Sequence, residues 1–282
     1  MIVAPADAAL EDLELKLLLE AVFRHYGYDF RDYSPASLKR RVLARMESEK
    51  LATISDLQAR LLHDPETFAR FLTGLTIHVT AMFRDPSYYA AFRAKVVPWL
   101  RTYPFLRLWV AGCASGEEVY SLAIVLEEEG LYDRCRIYAT DLSEDTLDRA
   151  RAGVFPVAVM QEYTQNYLQA GGKTAFSEYY TADHERVLLR PALRRNIAFA
   201  QHDLVSDASF NEFHVICCRN VMIYFNPTLQ ERVQRLLFTS LAPRGILAVG
   251  RAETLRYSVH EQDYEELDAR ERIYQRRGNP VT

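Results

Sequence analysis

Residues 112 to 118 read Gly-Cys-Ala-Ser-Gly-Glu-Glu and combine small and acidic residues in a pattern suited to ligand binding. Glycine lets a backbone approach a ligand closely, and the helix that follows such a turn offers unpaired N–H groups. Phosphate often binds at a helix N-terminus, but the negative charges of Glu117 and Glu118 oppose a phosphate. They suit a ligand with an ammonium or sulfonium group, and S-adenosylmethionine carries both and no phosphate. The turn by itself predicts a cofactor site that includes Gly112 and these glutamates, and their charge makes S-adenosylmethionine a candidate for it.

Further candidate residues follow later apolar runs, at the points where strands are predicted to end. They are Asp141, Asp203, Leu204, Arg219 and Asn220. Ligands of open parallel sheets bind at the carboxyl ends of the strands, so these residues are candidates for the same site. Asp141 lies about 20 to 30 residues beyond the turn, where a Rossmann-like site carries the carboxylate that binds the ribose.

Each of these residues also has a purely structural interpretation. Asp141 could cap the helix that follows it, and Arg219 and Asn220 could be polar residues at the rim of the sheet. NAD is the main alternative ligand, but the turn lacks a full GxGxxG pattern and bears glutamates. Several cues at successive strand ends favour an adenosyl ligand.

The elements that must position these residues alternate between strands and helices from residue 105 onward. Strands are predicted near 106–110, 136–140, 196–200, 213–218 and 245–249, and helices near 117–129, 143–151 and 227–241. This alternation predicts an α/β fold with a parallel sheet between helices. The segment 264–276 could add antiparallel edge strands.

The rest of the chain suggests a division into domains. Residues 1–80 read as an all-helical domain, 81–104 as a linker that contributes to the cofactor site, and 105–282 as the cofactor-binding domain. Residues 158–192 interrupt the alternation and predict a small inserted β-subdomain.

Composition excludes several classes of protein. A net charge of −4 gives no basic excess for nucleic acid, and no apolar run approaches the length of a transmembrane helix. No signal peptide is apparent, and the four cysteines lack the spacing of a zinc site. We expect a cytoplasmic, monomeric protein with reduced thiols, no metal and no direct membrane insertion.

The motifs together resemble the CheR family, whose members are S-adenosylmethionine-dependent protein-glutamate methyltransferases that act on bacterial chemoreceptors. The most specific match is Arg-Asn-Val-Met-Ile-Tyr-Phe at 219–225. Further matches are Thr-Ala-Met-Phe-Arg-Asp at 80–85, Gly-Glu-Glu-Val-Tyr-Ser at 116–121, Ala-Thr-Asp at 139–141 and Gly-Arg-Ala-Glu at 250–253. The resemblance covers nearly the whole chain. It implies a Rossmann-like class I methyltransferase sheet with an N-terminal helical domain and a small inserted β-subdomain.

The resemblance also implies roles for residues around the cofactor. Thr80 and Arg84 would reach over it, with Arg84 on its carboxylate, and His78 stands where the family has Asn. Glu117 or Glu118 would meet the methionine ammonium. The remaining cofactor neighbours would be Asp141 at the ribose, Leu204 and Asp203 (Asn in the family) near the adenine, and Arg219 and Asn220 closing the site.

Two residues would serve the transfer itself, and a basic helix would serve the acceptor. Tyr224 would lie beside the transferred methyl group, and Arg219 could orient the acceptor carboxylate. Arg40, Arg41 and Arg45 resemble the family's basic substrate-facing helix, although charged runs usually form a solvated face. Arg41 and Arg45 lie at i and i+4 and so share one face.

The function implied is methylation of glutamate side chains in the helical cytoplasmic domain of chemoreceptors, with S-adenosylhomocysteine as the product. The insertion has no glycine between 181 and 186, whereas members that bind a receptor C-terminal peptide have longer, glycine-rich loops, which favours an enzyme independent of that peptide. One alternative is a methyltransferase with another acceptor. A second is a non-catalytic cofactor-binding regulator, because His78, Asp203 and Arg251 depart from the family pattern.

Overall fold

The computed structural model describes residues 8–75 and 80–278, and these form two compact units. One unit comprises residues 8–75 with 224–232, and the other comprises 80–223 with 233–278. His78, a predicted cofactor contact, lies outside the described residues.

The first unit is helical. Its helices are α1 (Ala8–Tyr26), α2 (Pro35–Ser48), α3 (Ile54–His63) and α4 (Pro65–Leu75). Apolar residues at helical spacing, such as Leu18 and Val22 of α1 and Val42 of α2, are fully buried, and both α1 and α2 contact α3. Helix α3 begins in a capping box, in which the Thr53 and Asp56 side chains each accept a hydrogen bond from the other's backbone N–H.

The second unit contains the alternating elements that the sequence predicts. Its helices are α5 (Pro86–Ala91), α6 (Val97–Leu100), α7 (Glu117–Glu128), α8 (Glu144–Ala152), α9 (Met160–Gln169) and α10 (Pro227–Ser240), whose first turns belong to the other unit. Its strands are β1 (Leu106–Ala111), β2 (Cys135–Asp141), β3 (Val154–Pro156), β4 (Tyr180–Ala182), β5 (Arg186–Leu189), β6 (Ile197–Gln201), β7 (Phe213–Cys218), β8 (Leu241–Val249), β9 (Tyr264–Asp268) and β10 (Ile273–Arg276).

Within the described residues, the main sheet has the strand order β6-β2-β1-β7-β8-β10-β9. The strands from β6 to β8 run parallel, and β10 and β9 are antiparallel. The chain runs outward from β1 through β2 to β6 and then returns to β7 beside β1. This reversal of direction opens a crevice at the carboxyl ends of the strands. The predicted α/β fold class is confirmed, including the antiparallel edge.

The segment 81–104, which the sequence analysis treats as a linker, is mostly helical. Residues 86–100 form α5, a π-helical stretch (Phe92–Val96) and α6, and Tyr88, Tyr89 and Phe92 are fully buried in the core of the second unit. The smaller sheet has the order β3-β5-β4 and begins at Val154, four residues before the predicted insertion. Among the described residues, none of the helices combines the length and apolar character that a bilayer crossing requires.

Candidate functional site

The turn between β1 and α7 is held against the end of β2. The backbone N–H groups of Gly112 and Cys113 both donate to the carbonyl oxygen of Thr140, at 2.8 and 2.9 Å. Gly112 has a φ of +72°, and a Cβ there would lie 2.6 Å from Cγ2 of Val221. Glycine is therefore required at this position both by its backbone conformation and by the close approach of the loop after β7.

Asp141 at the end of β2 fixes the same turn. Its Oδ2 accepts a hydrogen bond from the N–H of Ala114 at 2.9 Å, and its Oδ1 accepts one from Ser143 at 3.2 Å. Ala114 has a φ of +47°, which a residue with a Cβ rarely adopts, so the Asp141 carboxylate compensates for backbone strain in the turn. Ser143, and not Asp141, provides the side-chain cap of α8, by accepting from Thr146.

The two glutamates at the start of α7 have different surroundings. Both oxygens of Glu117 have local donors, since Ser115 Oγ lies 2.8 Å from Oε2 and Tyr163 Oη lies 3.4 Å from Oε1. Glu118 accepts a bond on Oε2 from Arg219 Nη1 at 3.1 Å, whereas its buried Oε1 has no hydrogen-bond partner within the described residues. Burial raises the pKa of both carboxyls above the usual range. At Glu118 the positive charges of Arg219 and Arg84 offset part of this increase. The unpartnered oxygen makes Glu118 the better candidate for a cationic ligand atom.

Arg219 is buried in the middle of a charge cluster. Only 1% of its side chain is exposed, and its guanidinium lies over the ring of Tyr88 at 3.9 Å from the centroid. Its Nη1 donates to Glu118 and its Nη2 to Asp85 Oδ2 at 2.9 Å. Burial alone would lower the pKa of Arg219, but Glu118, the neighbouring tyrosines Tyr89 and Tyr88, and Asp85 together raise it, so the side chain stays charged.

Asp85 was not anticipated as a site residue. It follows Arg84 in the predicted arm over the cofactor, and both Phe83 and Asp85 have positive φ values, of 53° and 57°. The Phe83 N–H donates to Ser121 Oγ of α7 at 2.8 Å, which fixes this strained segment beside the turn. Thr80 is half-buried at the start of the same segment. The acidic residue directly after Arg84 in the sequence could have indicated that Asp85 belongs to the site.

Asn220 is positioned by Glu253, which sequence reasoning also left out of the site. Asn220 has a φ of +60°, and its N–H donates to Glu253 Oε2 at 3.0 Å. The same carboxylate accepts bonds from the N–H groups of Gly250 at 2.5 Å and Ile223 at 3.2 Å. Glu253 therefore ties the loop after β7 to the end of β8. Its position in the Gly-Arg-Ala-Glu motif at 250–253 could have indicated this role.

The carboxylate of Asp203 is used locally, which makes it a weak candidate for an adenine contact. Its Oδ1 accepts from the N–H of Val205 at 2.8 Å, and its Oδ2 accepts from Ser206 Oγ at 2.9 Å. Leu204, beside it, is buried, so an apolar side chain lies at the carboxyl end of β6.

The remaining predicted site residues lie in the first unit, and two of the arginines of α2 point into it. Arg41 donates to the carbonyl oxygen of Leu75, the last residue of α4, and Arg45 donates to that of Arg70 at 2.6 Å, so both arginines bond the backbone of α4. The Arg41 guanidinium also lies 4.5 Å from the ring centroid of Tyr224. Arg40 is exposed. Arg41 and Arg45 thus stabilise the helical unit. The exposed basic face of α2 is the one that carries Arg40.

Three features of this unit fit a cationic adenosyl ligand. They are a parallel sheet whose strand order reverses at β1, a glycine turn that is hydrogen-bonded to β2, and a buried carboxylate oxygen without a partner at the start of α7. This fold and site define a class I S-adenosylmethionine-dependent methyltransferase. Sequence comparison agrees, because the family model described as "CheR methyltransferase, SAM binding domain" matches residues 78–273. A second, "CheR methyltransferase, all-alpha domain", matches residues 13–76.

The chain belongs to the CheR methyltransferase family, and S-adenosylmethionine is its cofactor. It is 47% identical to a Pseudomonas putida protein named Cher3, over 94% of this chain and 97% of that protein. It is 32% identical to the chemotaxis protein methyltransferase of Listeria monocytogenes, over 87% of this chain and 92% of the other. It is 27% identical to the chemotaxis protein methyltransferase of Salmonella typhimurium, over 90% and 88%.

Proposed function

We propose that this enzyme methylates glutamate side chains of chemoreceptors and yields glutamate methyl esters and S-adenosylhomocysteine. The observation that carries the proposal is the similarity to two proteins named chemotaxis protein methyltransferase, which extends over about nine-tenths of each chain and so includes both units. The resemblance of the motifs at 80–85 and 219–225 to protein-glutamate methyltransferases supports the same acceptor.

The reaction needs no general base from the chain. When bound, S-adenosylmethionine supplies a methyl group on a positively charged sulfur. The acceptor carboxylate is already ionised at neutral pH, since its ordinary pKa is about 4.3. An anion and a cation become a neutral ester and a thioether, so charge decreases along the reaction path and a site that excludes water favours it. The role of the protein is to align the acceptor carboxylate with the methyl group of the cofactor and to exclude water from both.

Glu118 is the proposed ligand of the methionine ammonium, through its unpartnered Oε1, and Arg84 is the proposed ligand of the carboxylate. Asp141 remains the proposed ribose ligand, because it lies at the carboxyl end of β2 against the glycine turn. Leu204 is the proposed adenine neighbour. Arg219 would act by holding Glu118, because its Nη1 donates to that carboxylate and only 1% of its side chain is exposed to an incoming acceptor.

Tyr224 is the proposed neighbour of the transferred methyl group. Replacement of Tyr224 by Phe retains the ring that lies under Arg41 and removes only the hydroxyl. Turnover should fall while the cofactor Kd stays unchanged, and unchanged turnover would remove the hydroxyl from the mechanism.

The exposed face of α2 is the proposed contact for the acidic acceptor helix. A groove on this face is lined by Arg40, Leu43 and Ala44, together with Glu47 and with Lys39, which pairs with Glu11 and Asp12. Arg40 therefore supplies the cationic group that lies beside the apolar surface of this groove. Arg40 is the best-placed docking residue, because it is exposed, whereas Arg41 and Arg45 are occupied by α4. The groove would suit a helix that presents glutamates between small apolar residues.

The proposal is tested by incubating the full chain with methyl-labelled cofactor and a cytoplasmic receptor fragment. Label that is released by mild base, and that is absent from a fragment whose methylated glutamates are changed to glutamine, supports it. Label stable to base indicates another acceptor, and cofactor binding without transfer indicates a regulator. Arg40→Glu should raise the KM for the fragment, while Arg24→Glu, an equally large charge change at an exposed position of α1, should not.

A further inference from the structure

Arg219 divides its guanidinium between two carboxylates. Nη1 pairs with one oxygen of Glu118 and Nη2 with one oxygen of Asp85, at 3.1 and 2.9 Å. Arginine and carboxylate groups commonly pair through two parallel hydrogen bonds, which would use both oxygens of Glu118. Here only one is used, and Oε1 stays without a partner in the described part of the chain.

We infer that Asp85 is a positioning residue that keeps Glu118 Oε1 open for the methionine ammonium by holding the second arm of the Arg219 fork. Without Asp85, Nη2 of Arg219 would lose its acceptor. The other nitrogen of the same guanidinium already pairs with Glu118, whose Oε1 also lacks a partner in the described part of the chain. Closure into a two-bond pair would then satisfy both atoms and would place a cation where the ammonium is to bind. The inference rests on the proposed assignment of the ammonium to Glu118.

Asp85 is itself held in place, as a positioning residue must be. Arg251 Nη1 lies 3.7 Å from its Oδ1, the oxygen that Arg219 does not contact, and Arg251 is anchored by Glu271 through Nε at 3.0 Å and Nη2 at 2.8 Å. Arg251 also donates to Ser87 Oγ in the first turn of α5. The left-handed backbone of Asp85 is a conformation that aspartate and asparagine tolerate better than most residues. These contacts of Arg251 and this backbone conformation orient the Asp85 carboxylate toward Arg219.

The experiment measures the Kd of S-adenosylhomocysteine, which retains the ammonium, by calorimetry on the full chain. The Asp85→Ala substitution should weaken binding by about tenfold or more, because a hydrogen bond to a charged group is lost from the ligand. Asp85→Asn keeps an oxygen acceptor and the backbone preference, so its effect should be smaller. Asp148→Ala, which breaks an exposed pair with Arg151 in the same unit, is the matched control and should leave the Kd unchanged.

Two further measurements separate positioning from a general structural role. Methylthioadenosine lacks the amino-acid end of the cofactor, so its Kd should be the same for the wild type and Asp85→Ala. In a Glu118→Gln background, the effect of Asp85→Ala should largely disappear, because the two act through one oxygen. Equal weakening of both ligands, additive effects, or an unchanged Kd for S-adenosylhomocysteine would each overturn the inference. No acceptor takes part, so these outcomes are independent of whether a receptor glutamate is methylated.

Discussion

Glu118→Gln is the most direct test of how the enzyme binds the cationic end of its cofactor. The substitution preserves shape and leaves an oxygen to accept the bond from Arg219, but it removes the charge that the unpartnered Oε1 offers to an ammonium. A hydrogen bond between charged groups contributes about 1.5–3 kcal/mol, and each 1.4 kcal/mol is tenfold in affinity. The Kd of S-adenosylhomocysteine should therefore rise by roughly 10- to 150-fold.

The pH dependence of binding gives a second measure of the same group. Burial raises the pKa of Glu118 above its usual value of 4.5. The ammonium binds the ionised carboxylate, so the wild-type Kd should be lowest near neutral pH and should increase as the pH falls through this raised pKa. Calorimetry between about pH 5 and 8 should show that slope in the wild type, and Glu118→Gln should flatten it.

Glu117→Gln is the matched comparison on the same helix turn. Its carboxylate oxygens already have local donors in Ser115 and Tyr163, so its replacement should weaken cofactor binding less than that of Glu118. A Kd for Glu118→Gln within twofold of the wild type, or a larger effect at Glu117, would refute the assignment of the ammonium to Glu118 Oε1.

Further predictions concern stability and acceptor binding, and thermal unfolding measures the first of these. Gly112→Ala should destabilise the fold by roughly 1–3 kcal/mol because its Cβ would lie 2.6 Å from Val221, and a second change of Val221→Ala should restore part of the loss. Arg41→Ala should lower Tm by leaving a carbonyl of α4 unsatisfied, whereas Arg40→Ala should leave Tm unchanged and raise the KM for the acceptor; equal Tm values would contradict the inward role of Arg41. Glu253→Ala should cost about 3 kcal/mol or more because three backbone N–H groups lose their acceptor, and Glu253→Gln should cost less; a neutral alanine variant would rule out the proposed clamp.

Much of the fold was predictable from local patterns. Predicted strands such as 106–110 and 213–218 differ from β1 and β7 by at most one residue, because apolar runs bounded by glycine or charged residues specify strands locally. The segment 81–104 was less predictable. Its aromatic residues Tyr88 and Tyr89 follow no clear helical pattern, and only their burial in the core explains their helix.

The candidate site was predictable as a set of strand ends and not as a set of contacts. Neither Asp85 nor Glu253 was assigned a role in the sequence analysis, because each acts through a residue that is distant in sequence. Asp85 pairs with Arg219, and Glu253 bonds the backbone of Asn220. Hydrogen bonds between distant segments leave no periodic trace in a sequence.

The sequence alone determined the parallel sheet, the glycine turn and the class of cofactor, because strand–turn–helix patterns and the sign of charge at a helix start are local properties. Only the tertiary structure decided which atoms are available. It left Glu118 Oε1 open while filling both oxygens of Glu117, and it turned Arg41 and Arg45 inward onto α4. Availability depends on which donors and acceptors meet across the fold, and that depends on packing between residues far apart in the chain.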